Sequence, residues 1–148
     1  MRKIISNTSC LIILDNIGML FILKELYGNI WITEEVYHEF EKKVDDWVEV
    51  KKVKDQKYLK LMNSFVDLGE ASTIALSIEN ENSVMILDDL KARKLARKLE
   101  LTFTGTIGVL LKARENKIIN SLNEVVKKLK MHGFRISEKL EEEILESD

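Results

Sequence analysis

Short runs of β-branched and apolar residues alternate with longer segments of helical periodicity along almost the whole chain, and this alternation constrains the fold more than any other feature. Runs of this composition favour strands, and the predicted strands cover residues 3–6, 30–32, 48–53, 84–87 and 102–104. The predicted helices cover residues 9–16, 19–27, 34–43, 55–66, 69–78, 91–99, 105–115, 121–132 and 137–146. Strands that alternate with helices predict an α/β fold built on a mainly parallel sheet.

Length and charge limit the classes of protein to which the chain can belong. Its 148 residues fit one domain. Lys and Arg number 23 against 25 Asp and Glu, so the formal net charge is −2. Proteins that coat nucleic acid without specificity are usually basic. This charge therefore disfavours general nucleic-acid coating but leaves room for a local basic patch.

The few cysteines and histidines exclude several kinds of site. Cys10 stands alone and cannot form an internal disulfide, and with His38 and His132 it cannot build a usual structural zinc site. Asp15 and Asn16 interrupt the apolar N-terminal stretch, and no apolar run reaches the length of about 18 residues that a membrane helix needs. We therefore expect a cytoplasmic protein without a membrane association. If it is an enzyme, its chemistry must come mainly from carboxylates.

Polar side chains follow the predicted strands at the places where a parallel sheet gathers its ligands. Asn7 follows the first strand, Asp88 and Asp89 follow the fourth, Glu39 lies in the helix after the second, and Glu70 begins a later helix. Ligands of open parallel sheets bind outside the carboxyl ends of the strands. Clustered carboxylates repel one another unless they are protonated, paired or bridged by a cation. Mg²⁺ and Mn²⁺ prefer such oxygen ligands and can activate a water for phosphodiester cleavage.

Each of these five residues also has a purely structural interpretation. Asn7, Asp88 and Asp89 are residue types that cap helices, and Glu70 stabilises a helix N-terminus through the dipole. Glu39 lies in an acidic helix and is compatible with a solvated face. Of the paired acids, Asp88 is slightly preferred as the one that points into the cleft, with Asp89 as its alternate.

Three further residues are candidates for substrate binding. Thr104 and Thr106 follow the short fifth strand, where their hydroxyls could contact phosphate or a metal-bound water, or could cap the next helix. Arg93 belongs to a basic run over residues 91–98 and is close in sequence to the paired acids. It could contact a phosphate backbone together with Arg97, one turn away, or lie on a solvated helix face.

Four segments resemble the motifs of the PIN-domain family, which includes VapC-type toxins, and their order and spacing along the chain resemble that family as well. They are residues 4–9 (IISNTS), 36–40 (VYHEF), 68–76 (LGEASTIAL) and 87–96 (LDDLKARKLA), and residues 103–108 (FTGTIG) resemble a strand-to-helix step of one prokaryotic branch. The resemblance implies a three-layer α/β/α PIN-like fold with a central, mainly parallel sheet. It also implies a single domain over residues 1–148, with a core at about 3–118 and a C-terminal helical extension at about 119–148.

The resemblance also implies a function, a divalent-metal-dependent endoribonuclease. The catalytic and metal-binding set would be Asn7, Glu39, Glu70, Asp88 and Asp89, the cofactor Mg²⁺ or Mn²⁺, and the products a 3′-hydroxyl and a 5′-phosphate. Substrate RNA would contact Thr104, Thr106 and Arg93. The implied setting is the toxin of a prokaryotic toxin–antitoxin module, as a homodimer whose acidic cleft a small antitoxin protein covers.

Asn7 is a departure from the family, which normally has Asp at this position. An amide oxygen can ligate a cation but brings no negative charge, so we expect weaker metal binding and reduced or lost cleavage. Two explanations are open, a naturally degenerate site and an introduced inactivating substitution. The main alternative function is a catalytically inactive PIN-like scaffold that binds RNA or a protein partner. A third is a metal-dependent phosphatase or DNA-directed nuclease that uses the same acids.

Overall fold

A five-stranded parallel sheet forms the centre of the molecule in the computed structural model, which describes residues 2–147. The strands are β1 (Lys3–Ser6), β2 (Ile30–Thr33), β3 (Val48–Lys51), β4 (Ser83–Ile86) and β5 (Phe103–Thr104). Their order across the sheet is β3-β2-β1-β4-β5, and every neighbouring pair is parallel. The predicted α/β class and parallel sheet are therefore confirmed.

Helices connect the strands and cover both faces of the sheet. They are α1 (Thr8–Asn16), α2 (Phe21–Tyr27), α3 (Glu34–Phe40), α4 (Gln56–Asn63), α5 (Leu68–Glu79), α6 (Leu90–Lys98), α7 (Thr106–Glu115), α8 (Leu122–Met131) and α9 (Glu138–Ser147). None of the helices within residues 2–147 combines the length and the apolar character needed to cross a membrane.

Alternate strand residues enter two hydrophobic cores on opposite faces of the sheet, as the two-residue period of a strand requires. Ile30, Ile32 and Ile86 pack into one core with α1, α2, α3, α7 and α8. Trp31 and Met85 pack into the other with α4, α5 and α6. The structure therefore confirms the three-layer α/β/α fold. Buried residues of α8 and α9 join the first core, so the C-terminal helices pack on the same sheet.

The strand order places the carboxyl end of β1 at the point where the chain changes direction across the sheet. From β1 the chain adds β2 and β3 on one side, and it then crosses to β4 on the other side of β1. Ser6 pairs with Ile86 in register, and the backbone N–H of Asn7 donates to Ile86 O at 3.1 Å. Ligands of open α/β sheets bind in the crevice at such a switch point.

Several predicted helices and strands extend beyond the observed ones, and local hydrogen bonding explains two of these differences. α3 ends at Phe40 rather than at residue 43, because Glu41 adopts the left-handed conformation (φ 58°) and its N–H donates to Tyr37 O. α4 begins at Gln56 because Asp55 is its N-cap and accepts hydrogen bonds from two backbone N–H groups. Cap geometry of this kind depends on backbone conformation as well as residue type.

Replacing Thr33 with Val should destabilise the protein, because this change keeps the shape of the side chain but removes a buried hydroxyl. Thr33 caps α3: its Oγ1 accepts from Val36 N at 3.0 Å and lies 2.6 Å from Ser72 Oγ. We expect the free energy of unfolding, measured by urea denaturation, to fall by about 1–3 kcal/mol. Thr33→Ser keeps the hydroxyl and is the matched control. Equal stability of the two variants would contradict this account.

Candidate active site

An open cavity of about 900 Å³ lies at the carboxyl ends of β1 and β4. Asn7 and five acidic residues line it, and these acids come from four different elements or connections. The acids are Glu39, Asp67, Glu70, Asp88 and Asp89. The five residues that the sequence predicted as catalytic therefore surround one cavity, although they are spread over more than 80 positions of the chain.

Asn7 occupies the N-cap position of α1, but its side chain does not cap the helix. The residue is only 4% exposed, and its Oδ1 atom has no hydrogen-bond partner among the described residues. A buried polar atom without a partner costs about 1–3 kcal/mol. Capping of α1 therefore does not account for the side chain of Asn7. Because Asn7 lines the cavity, a ligand bound there would supply the partner that its amide oxygen lacks.

The Glu39 carboxylate is held in place by two donors from other helices. Its Oε1 accepts from the Thr8 hydroxyl at 2.5 Å, and its Oε2 accepts from the backbone N–H of Gly69 at 3.0 Å. A Cβ at position 69 would lie closer to Glu39 Oε1 than van der Waals contact allows, so a larger residue there would displace this carboxylate. Glu39 is thus not a freely solvated helix residue. It joins α3 to α1 and α5 at the rim of the cavity.

Glu70 lies in the most strongly perturbed environment of the site. It is 9% exposed, and burial is the main cause that raises its pKa to about 7. The negative charges of Asp89, Asp67 and Glu39 raise the pKa further. Like charges held close together disfavour ionisation of one member of the group. In the absence of a cation, Glu70 is therefore partly protonated near neutral pH.

The two adjacent acids after β4 have different surroundings. Asp88 accepts two hydrogen bonds from Thr106, one from its backbone N–H at 2.8 Å and one from its hydroxyl at 2.5 Å. Asp89 is the N-cap of α6 and accepts from Ala92 N through Oδ2 at 3.0 Å. Asp89 is among the charges that raise the pKa of Glu70. Both acids line the cavity, and the slight preference for Asp88 over Asp89 as a ligand stays a prediction.

The three predicted substrate-binding residues do not line the acidic cavity. Thr106 is buried and positions Asp88 from beneath. Thr104 lines a separate cavity that β1, β4 and β5 form with α2 and α7, where Tyr27 and Lys112 are its neighbours. Arg93 donates through Nε to Leu87 O at 2.7 Å, and its guanidinium lies over the Phe103 ring. Arg93 therefore supports the end of β4 rather than facing the cavity.

Sequence reasoning missed three charged or aromatic residues that line the cavity. Asp67 precedes α5 at its N-cap position, and an acid three residues before Glu70 was a signal that could have found it. Phe134 and Arg135 reach the cavity from the connection between α8 and α9. Nothing in the local sequence marks these two, because tertiary packing of the C-terminal helices brings them there.

The donor set fits an oxygen-preferring divalent cation. Among residues 2–147, no three His, Cys, Asp or Glu side chains converge closely enough to enclose an ion by themselves. The acids instead surround an open cavity, which suits Mg²⁺ or Mn²⁺ because these ions keep several water ligands. A bound cation would give the Asn7 oxygen the partner that it lacks among the described residues. It would also lower the raised pKa of Glu70.

The raised pKa predicts that ionisation of Glu70 opposes folding when no divalent cation is present. The unfolded carboxyl ionises around its model value of 4.5 and the folded one only at about 7, so stability falls as the pH rises between these values. Glu70→Gln carries no charge. In EDTA at pH 8 it should raise the free energy of unfolding by about 1–3 kcal/mol, with a smaller effect at pH 4.5.

Urea denaturation at both pH values measures this difference. Glu115→Gln, at an exposed position on α7, is the control and should show no such dependence on pH. An equal effect of Glu70→Gln at the two pH values would refute the electrostatic explanation.

Comparison with known proteins identifies the family. A family model described as a PIN domain matches residues 3–148, which is nearly the whole chain. No curated protein and no solved structure matches. The match agrees with the three-layer fold, and it includes all of the acids around the cavity. The chain belongs to the PIN-domain family.

Proposed function

We propose that this protein is a divalent-metal-dependent endoribonuclease that cleaves RNA in the acidic cavity at the ends of β1 and β4. The PIN domain is a nuclease-type fold. The observation that carries the proposal is the burial of Glu70 among other acids: burial, and then the charges of these neighbours, raise the pKa of that residue to about 7. Carboxylates held together at such a cost mark candidate functional sites, and these provide the oxygen ligands that Mg²⁺ and Mn²⁺ prefer.

The cation would be held by Asn7, Glu39, Glu70, Asp88 and Asp89. When bound, Mg²⁺ or Mn²⁺ supplies an activated water and neutralises charge on the scissile phosphate. A bound cation would favour the ionised form of Glu70, with its proton released to solvent, and Asn7 would offer a neutral amide oxygen that has no hydrogen-bond partner among the described residues. The hydrogen bonds to Glu39 and Asp88 hold these two carboxylates in place at the cavity.

Arg135 provides a positive charge in the lining of the cavity. It is the one basic residue among the described residues that line the cavity, and it lies next to Phe134. A guanidinium binds phosphate oxygens through two parallel hydrogen bonds. In the proposed enzyme Arg135 binds a phosphate of the substrate, the role that the sequence suggested for Arg93.

An inactive scaffold that binds RNA or protein is the second candidate function. Asn7 favours it, because the amide removes one negative charge from the proposed ligand set. A phosphatase or DNA-directed nuclease with the same acids would share the metal site but not the preference for RNA. Cleavage assays with matched RNA and DNA oligonucleotides separate these functions.

We further propose the toxin of a prokaryotic toxin–antitoxin module as the biological role, acting as a homodimer in the cytoplasm. The open acidic cavity and the exposed Leu90 at its rim support the covering of this site by a small antitoxin protein. A short antitoxin-like reading frame directly upstream would favour this role. Co-purification of that product with the wild-type chain, and its loss on Leu90→Glu, would test it.

Asn7→Asp should increase Mn²⁺-dependent cleavage of single-stranded RNA by at least about tenfold, which corresponds to about 1.4 kcal/mol. The reason is that the substitution places a negative charge on a residue that lines the cavity and whose buried Oδ1 has no hydrogen-bond partner among the described residues. Electrophoresis of end-labelled RNA measures the cleavage rate. Adding Glu70→Gln to Asn7→Asp should abolish the gain. Cleavage that survives in the double variant, or its absence from all forms, would refute the nuclease proposal.

Arg135→Ala, tested in the Asn7→Asp protein, should lower kcat/KM for RNA by about tenfold because it removes the charge that binds phosphate. The affinity for Mn²⁺, measured by calorimetry, should not fall, since Arg135 contributes no ligand to the cation. Arg135→Lys keeps the charge and should retain a larger part of the activity. An unchanged kcat/KM in Arg135→Ala would exclude a role for this residue in substrate binding.

A further inference from the structure

The basic residues of α6 separate onto two sides of the helix. Arg93 and Arg97 turn toward β5, where each guanidinium carbon lies 5.3 Å from the centroid of the Phe103 ring. The lysines, spaced at i, i+3 and i+7, share another side of the helix. There Lys91, Lys94 and Lys98 line a shallow groove of about 220 Å³. The lysines, and not the arginines, are therefore the part of the basic run that is free to meet a partner.

Phe65 forms the opposite wall of this groove, together with the buried Val66. The Phe65 side chain is 59% exposed, an unusual state for a ring of this size. Its backbone is nevertheless fixed, because the N–H groups of Phe65 and Val66 both donate to Met62 O, at 3.0 and 3.1 Å. The ring is thus presented to solvent from an anchored turn between α4 and α5.

The groove is continuous with the acidic active site. It shares Phe65, Val66 and Lys91 with a neighbouring cavity of about 330 Å³. That cavity extends to Glu70 and Asp89, which also line the large acidic cavity. One uninterrupted surface therefore leads from the proposed cation site, past an exposed aromatic ring, to a row of lysines.

We propose that single-stranded RNA leaves the acidic cavity along this groove, which we call the exit groove (Phe65, Lys91, Lys94 and Lys98). One base stacks on Phe65, and the following phosphates pair with the three lysines. The inference rests on the proposed nuclease function and adds the path that the RNA takes across the protein surface.

The composition of the exit groove matches this partner. Single-stranded nucleic acid carries negatively charged phosphates and planar bases. It therefore binds surfaces that combine positive charge with aromatic side chains. Lys91 and Lys98 are separated by about 10 Å along the helix axis, the length of about three stacked nucleotides. None of the three lysines makes an ion pair with any residue between 2 and 147. Their charge is thus not neutralised within the described part of the chain.

RNA binding can be measured without cleavage, so the test does not depend on catalysis. Fluorescence anisotropy of a labelled 12-nucleotide single-stranded RNA in EDTA gives the dissociation constant at several salt concentrations. The triple variant Lys91→Glu, Lys94→Glu, Lys98→Glu should weaken binding at least tenfold. It should also reduce the slope of log affinity against log salt by about 2, since each lost phosphate contact contributes about 0.7.

Phe65→Ala should weaken binding by about 5- to 150-fold with an unchanged salt slope, because base stacking contributes about 1–3 kcal/mol and releases no counterions. Phe65→Trp should restore affinity. The matched control reverses three exposed lysines that lie outside all of these cavities, Lys24, Lys117 and Lys127. It makes the same change in net charge and should have a clearly smaller effect.

The outcomes separate the exit groove from the proposed function. If wild type binds RNA and the groove variants bind as tightly as the control, or if wild type does not bind RNA, the exit groove proposal is wrong. Loss of binding in the groove variants supports it even if Asn7→Asp cleaves no RNA, in which case only the nuclease function fails. If the groove variants bind RNA normally but lose a protein partner, the groove is a protein-docking surface and the RNA proposal is overturned.

Discussion

The burial of Glu70 beside other carboxylates is the constraint on which the rest of the site depends. A parallel sheet brings Glu70 and Asp89 to one cavity from elements on either side of the switch point, and burial there raises the pKa of Glu70 to about 7. The neighbouring acids remain ordered because donors hold them: Thr8 and Gly69 for Glu39, and Thr106 for Asp88. The fold thus accepts an electrostatic cost at one place and limits it with hydrogen bonds from three helices.

Asn7 changes the balance of this cluster. An Asp at the end of β1 would add a further negative charge within the same cavity, whereas the amide adds none. The amide leaves instead a buried oxygen that finds no hydrogen-bond partner between residues 2 and 147. Such an atom is costly in the free protein and useful only when a ligand reaches it. Position 7 therefore retains the geometry of a ligand while it lacks the charge, which is why a metal enzyme and an inactive scaffold are the two functions to separate.

Much of the fold and the acidic part of the site could be predicted from the sequence, because strand ends determine which residues meet. Asn7, Asp88 and Asp89 follow β1 and β4 directly, so a parallel sheet must bring them together. The orientation of side chains could not be predicted in the same way. A shift of one residue along the short β5 moves a side chain to the other face, and Thr104 lines a different cavity. The direction of Arg93 and the approach of Arg135 depend on how α6 and α8 pack, and a single sequence does not contain that information.

Mn²⁺ binding in the absence of RNA tests the central claim most directly, namely that the acids at the ends of β1 and β4 form a cation site. Titration calorimetry should compare wild type, Asn7→Asp and Glu70→Gln. We predict one site, with an affinity at least about tenfold higher in Asn7→Asp than in wild type and lower in Glu70→Gln. Equal Mn²⁺ affinity in all three proteins, or no binding by Asn7→Asp, would contradict the account.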